Sequence, residues 1–245
     1  MGKVIAIIQA RMGSTRLPGK VMMKIDGKTI LHHVIERVKQ AYGFDQIVIA
    51  TTTFTQDDVI AKAAIEYGVE IYRGSEENVL SRYYEAATKY HADVIVRITS
   101  DCPLIDPLII DQLVQFYKSH DYEMVTNAGI DLSKRTYPRG LDTEVFSYQA
   151  LKEAYLNGHA PYHREHVTPY IYEKSDKIYY YQDEKNNSQY RWTLDTEEDF
   201  RLIQAVYLYL YNGKHDFYYN DILKVFSEHP ELIKINAHIE QKKVK

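Results

Sequence analysis

The sequence predicts an α/β fold, a mostly parallel sheet with helices on both faces. Two patterns carry that prediction. Short β-branched apolar runs alternate with stretches of helical periodicity from residue 3 to residue 128, and such alternation builds a parallel sheet through crossover helices. The runs are also nearly continuous in apolar residues, as strands buried on both faces must be. With 245 residues, 45% of them hydrophobic, the chain has the material for one large α/β domain over residues 1–245.

"KVIAIIQA" (3–10) is the first strand. In "ILHHVIERVKQ" (30–40), Ile30, Val34, Ile35 and Val38 recur at helical spacing. "QIVIAT" (46–51) is the second strand, and "DDVIAKAAIEYG" (57–68) is a helix that Gly68 ends. "VEIY" (69–72) is a strand, "ENVLSRYYEAATKYH" (77–91) a helix and "ADVIVRIT" (92–99) the fourth strand. "DPLIIDQLVQFYKSH" (106–120) is a helix capped by Asp106, with Pro107 in its first turn. "YEMVTNA" (122–128) is the fifth strand. After Asn127 the rhythm breaks. Residues 129–146 form a loop leading into a strand, "KIYYYQD" (177–183) an edge or hairpin strand, and "YRWTLD" (190–195) a short strand before a long helix over 196–213. The chain is helical again from Asp221 and ends in "KKVK", a solvated terminus.

The formal net charge of −4 excludes the broad basic field of a nucleic-acid binder. No apolar run approaches the ~20 residues of a membrane span. The single cysteine, Cys102, excludes an intrachain disulfide and suits a reducing cytoplasm. The 23 tyrosines suit the edge of a core or a subunit interface, since a tyrosine buries its ring while its hydroxyl stays wet.

In an open α/β sheet, ligands bind beyond the carboxyl ends of the strands. There, straight after the first strand, "QARMGSTRLPGK" gathers Arg11, Arg16 and Lys20 with Ser14 and Thr15. The arginines offer bidentate forks to phosphate oxygens and Lys20 a point charge. Gly13 lets the backbone approach a ligand. The P-loop pattern fails here: five residues separate Gly13 from Gly19, and Val21 follows Lys20. Asp101, in "RITSDCPLIDP", lies just past the fourth strand, and Asp195, in "RWTLDTEEDF", precedes the long helix. Mg²⁺ takes one or two carboxylates together with phosphates and waters, which this pair supplies. The same residues also read as caps: Asp101 of a turn before Pro103, and Asp195 with Glu198, or Thr196 with Asp199, of the helix.

These motifs, with "PRGLDTEVF" and "REHVTPYI", resemble those of the cytidylyltransferases that activate acidic sugars, such as the CMP-KDO synthetases, and most closely the spore coat polysaccharide biosynthesis (SpsF-like) branch. The resemblance implies a single nucleotidyltransferase domain with a Rossmann-like sheet, Mg²⁺ held by Asp101 and Asp195, CTP and an acidic sugar as substrates, and a homodimer joined through a small irregular β insertion in the second half. It implies that Ala10, Arg11, Gly13, Ser14, Thr15, Arg16, Lys20, Asn78, Ser81, Arg82 and Thr99 bind the nucleotide, Lys20 and Arg11 joining the aspartates in catalysis. CMP-KDO synthetases carry Gln and Gly just before the first aspartate; this chain has Thr99 and Ser100, which opens the question of cytosine preference. An acidic sugar calls for an arginine at its carboxylate and acidic groups at its hydroxyls, which Arg139, Asp142 and Glu144 offer, with His163 and His166 nearby. The histidine pair lacks a third ligand at zinc spacing. Two rival readings stand beside this one: a sugar-1-phosphate nucleotidyltransferase or glycosyltransferase on a related fold, and a non-catalytic coat or assembly protein with a vestigial nucleotide site.

Overall fold

The computed structural model describes residues 2–241; the "KKVK" run (242–245) lies outside the described residues. The first half follows the expected alternation: β1 (Val4–Gln9), a small hairpin of β2 (Lys24–Ile25) and β3 (Lys28–Thr29), α1 (Ile30–Val38), β4 (Gln46–Thr52), α2 (Asp58–Glu66), β5 (Glu70–Gly74), α3 (Val79–Lys89), β6 (Val94–Thr99), α4 (Pro107–Ser119) and β7 (Met124–Thr126). The second half holds β8 (Glu144–Ser147), α5 (Tyr148–Asn157), α6 (Pro161–His166), α7 (Pro169–Lys174), β9 (Ile178–Tyr180), α8 (Glu197–Leu210) and α9 (Tyr219–Glu228).

Seven strands make one sheet in the order β5-β4-β1-β6-β8-β7-β9. Side chains alternate across a strand, so β1 sends Val4, Ala6 and Ile8 to one face and Ile5 and Ile7 to the other, all buried. The first face packs against α1, α2, α4, α8 and α9; the second against α3, α5 and α7. Each fully buried isoleucine contributes about 2 kcal/mol of transfer free energy, so both layers pull on the same central strands.

Three differences from the sequence reading matter for the site. The fifth strand, β7, does not continue the parallel series, because β8 inserts between β6 and β7, antiparallel to both. This aims the amino end of β8, with Glu144, at the same sheet margin as the carboxyl end of β6. "YRWTLD" is not a strand; a single parallel bridge joins Arg191 to Arg139. Helices α5, α6 and α7 lie where the sequence pattern predicts no element. The last two span only six residues each, too short for periodicity to show, although Ser147 capping Ala150 N–H marks the start of α5. The edge position expected of "KIYYYQD" holds for β9, which pairs in parallel with β7.

Candidate active site

The basic loop is closed before any ligand arrives. The Met12 carbonyl accepts from both Ser14 N–H and Gly19 N–H at 2.9 Å, and Ser14 Oγ accepts from Leu17 N–H. The loop is pinned to the sheet through Met12 N–H, which donates to Asp57 Oδ1 at 2.7 Å. Asp57 is itself buried and held by the Thr52 hydroxyl. Gly19 adopts a left-handed conformation (φ 72°) and opens the short 3₁₀ turn Lys20–Met22, which turns Lys20 inward. Arg11, Ser14, Thr15, Arg16 and Lys20 all line a cleft of about 380 Å³. Gly13 does not; its Cα faces the Glu76 carboxylate, which a Cβ would meet at 2.8 Å.

Lys20 ends between the two aspartates. Its ammonium donates to Asp101 Oδ2 at 2.8 Å, to Asp195 Oδ1 at 2.9 Å and to the Leu194 carbonyl at 2.7 Å, so all three of its protons are used. Leu194 N–H donates in turn to the Asp101 carbonyl at 2.8 Å, tying the two acidic loops together. Asp195 Oδ2 meets two more cations, Arg16 at 2.7 Å and Arg191 at 2.9 Å. Burial opposes the charge on Lys20, yet the two carboxylates prevail and raise its pKa. Burial likewise opposes ionisation of Asp101, but the Lys20 ammonium holds it down to about 2. Among the predicted cations, Arg11 stands apart: its partner is Glu76 at 3.6 Å.

The capping alternative for Asp195 is answered by the geometry. Thr196 caps α8 reciprocally with Asp199, and the Asp195 side chain takes no part. Asp106 caps α4 by accepting from Leu108 and Ile109 N–H, as its sequence position predicts. Cys102 is buried, and desolvation followed by the Asp101 charge pushes its thiol well above the ordinary range, so it lacks the thiolate of a nucleophile.

On the side facing α3, Arg82 lines the cleft while only 1% exposed. One of its terminal nitrogens donates to the Ser75 carbonyl at 2.7 Å, and its Nε has no protein partner among the described residues. Asn78 and Ser81 do not reach the cleft wall: Asn78 caps α3 by accepting from Ser81 N–H, and the Ser81 hydroxyl donates back to the Asn78 carbonyl. They build the turn that presents Arg82. Ala10, Thr99 and Ser100 line the cleft floor.

The opposite wall comes from the 128–144 segment. Arg135 pairs with Asp142 and donates to two carbonyls, Tyr137 and Pro138. Glu144 is engaged by Arg97 at 2.6 Å, by the Thr168 hydroxyl at 3.0 Å and by the Tyr172 hydroxyl at 2.7 Å. Arg139 has no ion pair among the described residues; burial and then the Arg135 charge lower its pKa. At Gly140 (φ 102°) the wall touches the acidic loop, and a Cβ would sit 2.5 Å from Trp192 C. His166 and Thr168 flank Val167, whose φ of 72° and ψ of −58°, with Thr168 N–H on the His166 carbonyl at 2.8 Å, make the rare, strained γ-turn. His163 lies off the cleft, with Nε2 on Glu173 at 2.9 Å.

Seven cationic side chains and five carboxylates line the cleft, a positive surplus inside a chain of net charge −4. Anionic ligands are therefore favoured here and not over the general surface. The acid pair supplies only oxygen donors and converges on one point, which fits a hard divalent cation. Among the described residues no group of three or more His, Cys, Asp or Glu could hold a metal, so a cation here would complete its shell with phosphate and water. Sequence reasoning missed Arg191, Arg97, Arg135, Thr168 and Tyr172. Only Arg191 left a signal, its four-residue spacing to Asp195.

The cytidylyltransferase family model matches residues 5–231. The chain is 35% identical to the spore coat polysaccharide biosynthesis protein SpsF of Bacillus subtilis, over 84% of this chain and 87% of that one. Its fold superposes with a TM-score of 0.89 on a cytidylyltransferase from Leptospira borgpetersenii, 37% identical and covering 95% of this chain and 97% of that one. A CMP:2-keto-3-deoxy-manno-octonic acid synthetase in complex with CTP shares the fold at a TM-score of 0.67 and 19% identity, covering 84% of this chain and 99% of that one.

Proposed function

This chain belongs to the cytidylyltransferase family, and we propose that it transfers CMP from CTP to an acidic sugar of the ulosonic or nonulosonic type, with release of pyrophosphate. One arrangement supports the reading: the Asp101–Asp195 pair, bound to Lys20 of the basic loop, shares one cleft with Arg139, which has no ion pair among the described residues.

Arg11, Arg16 and Lys20 grip the triphosphate and offset the charge that develops on it. Ser14 and Thr15 add hydrogen bonds, Ala10 and Thr99 frame the nucleotide's approach, and Gly13 stays outside that set. Arg82 reaches the nucleoside from the turn that Asn78 and Ser81 build. Arg139 takes the sugar carboxylate. Asp142, Glu144 and His166 face its hydroxyls, and His163 stays outside that set. Mg²⁺, when bound, would be held by Asp101 and Asp195 and would neutralise phosphate charge. The anomeric oxygen bonds to the α-phosphorus as the bond to the bridging oxygen breaks; pyrophosphate leaves with the electron pair and the hydroxyl proton passes to water. Asp101, whose carboxyl the Lys20 ammonium holds ionised, works as an anion.

The proposal includes a cytoplasmic homodimer whose product feeds polysaccharide synthesis. No helix among the described residues is long and apolar enough to cross a membrane. Ile130 and Leu132, 47% and 60% exposed, give the second half an apolar surface for a second copy. A monomer mass by light scattering at micromolar concentration would remove the dimer. The activity is tested by incubating the protein with each nucleoside triphosphate and a panel of acidic sugars and measuring pyrophosphate. Release that requires both CTP and an acidic sugar is expected. Release with a sugar 1-phosphate instead, or none with any pair, would end the reading, and equal rates with UTP would show that Thr99 and Ser100 do not select cytosine.

A further inference from the structure

We propose that Lys20 is a built-in occupant of the divalent-cation position, so that metal loads only when a triphosphate draws the lysine away. The inference rests on the cytidylyltransferase reading for the identity of that triphosphate. The geometry is specific. The Lys20 ammonium occupies the point where Asp101 Oδ2 and Asp195 Oδ1 converge, at 2.8 and 2.9 Å. The other oxygen of Asp195 already faces Arg16 and Arg191. Among the described residues, Asp101 Oδ1 is the one oxygen of the pair with no cation bonded to it; Cys102 Sγ lies 3.6 Å from it.

A divalent ion held by the two carboxylates would need oxygens that now accept from the Lys20 ammonium. It cannot share those oxygens with the ammonium, because two cations a few ångströms apart repel strongly in a partly dry site. One resident cation must leave. Arg191 is anchored by Asp199 through a second contact. Arg16 is half-exposed and meets Asp195 from the rim. Lys20 holds the central position on a flexible four-carbon stem, and the nucleotide's phosphates offer it a replacement for both carboxylates. Binding of metal and of triphosphate then becomes cooperative in both directions. The free enzyme keeps its acid pair neutralised without capturing stray metal.

The test is manganese binding to the nucleotide-free protein, followed by electron paramagnetic resonance, for the wild type and for Lys20→Met, Lys20→Arg and Arg16→Met. Lys20→Met is expected to bind manganese on the order of tenfold more tightly than wild type, within the usual range of coupling between sites. Lys20→Arg, which keeps the charge, is expected to stay weak. Unchanged or weaker binding by folded Lys20→Met would overturn the proposal, as would a gain confined to Arg16→Met. Should Lys20→Met fail to fold, wild-type crystals soaked in manganese with and without CTP decide: an anomalous peak touching the aspartates in manganese alone overturns it, and a peak found only with CTP present and Lys20 displaced supports it. Calorimetry with CTP separates the two readings. Absence of CTP binding with or without manganese sinks the cytidylyltransferase reading, whereas normal binding of CTP with manganese beside unchanged metal affinity in Lys20→Met sinks only the placeholder.

Discussion

Arg191 holds Asp195 and Asp199 at once, its guanidinium lying 2.9 Å from an oxygen of each. One of those carboxylates belongs to the proposed reacting centre and the other caps α8, so a single buried side chain fixes that acid loop to the helix behind it.

Removing that link should be costly. Arg191→Met leaves two buried carboxylates facing an apolar stem, and breaking a buried pair by deleting one partner costs about 3–5 kcal/mol. Arg191→Lys keeps the charge but cannot fork to both acids, and should fall between. Thermal melts of the three proteins check the order; Arg191→Lys matching wild type would refute the bridging role.

Cap and reacting centre can be separated. Thr196→Ala removes the helix cap and should lower stability by about 1 kcal/mol with turnover nearly intact. Asp195→Asn leaves the cap in place, weakens the contacts with Lys20, Arg16 and Arg191, and should lower turnover on the order of a hundredfold, beyond what its stability loss explains. Near-normal turnover by Asp195→Asn would remove Asp195 from the chemistry.

At Gly140 the two walls touch, with Trp192 O and Thr193 N at 2.6 and 2.7 Å from a Cβ position. Gly140→Ala combines that clash with an unfavourable left-handed backbone. A loss of about 2 kcal/mol, roughly 4–8 °C in melting temperature, is expected, with a raised KM for the sugar because Arg139 moves with the wall. An unchanged melting temperature would show that the wall yields.

Acid should unfold the protein through histidines far from the cleft. His33, on the buried face of α1, shares a 2.8 Å hydrogen bond with His215; burial lowers their pKa values to about 4 and about 3. The folded chain therefore binds fewer protons here than the unfolded chain, whose histidines titrate near 6.5. Stability is complete above that pH and falls as pH drops from about 6.5 towards 4. Chemical denaturation at pH 7.5, 6 and 5 measures the slope, which His215→Gln should flatten. Equal slopes for variant and wild type would assign the loss elsewhere.

How much of this was legible in the sequence depends on the range of the contact. Elements set by local pattern, β1 to α4 apart from the two-residue strands β2 and β3, Asp106 as a cap and Gly68 as a stop, could be read directly. So could the basic loop and the two aspartates, because each is a dense local motif. The insertion of β8 between β6 and β7 could not, since strand order depends on pairing between distant segments. "YRWTLD" misled for a related reason: its alternating side chains serve a cleft wall and a core without a neighbouring strand. Arg97, Thr168 and Tyr172 meet only at Glu144, and no spacing in the chain announces that. Asn78 and Ser81 are engaged with each other through local hydrogen bonds, which a motif alone does not reveal.

The Lys20–Asp195 contact joins residues 175 positions apart, and this sets a schedule for synthesis. At about 5–20 residues per second, Asp195 follows Lys20 out of the ribosome by roughly 9–35 seconds. By then β1, β4, β5 and β6 have all been made, so a parallel core can form while Lys20 has at most Asp101 as a carboxylate partner. The proposed reacting centre thus closes only after the parallel strands have been made, and nascent chains halted before Trp192 should leave Lys20 open to amine-reactive labels.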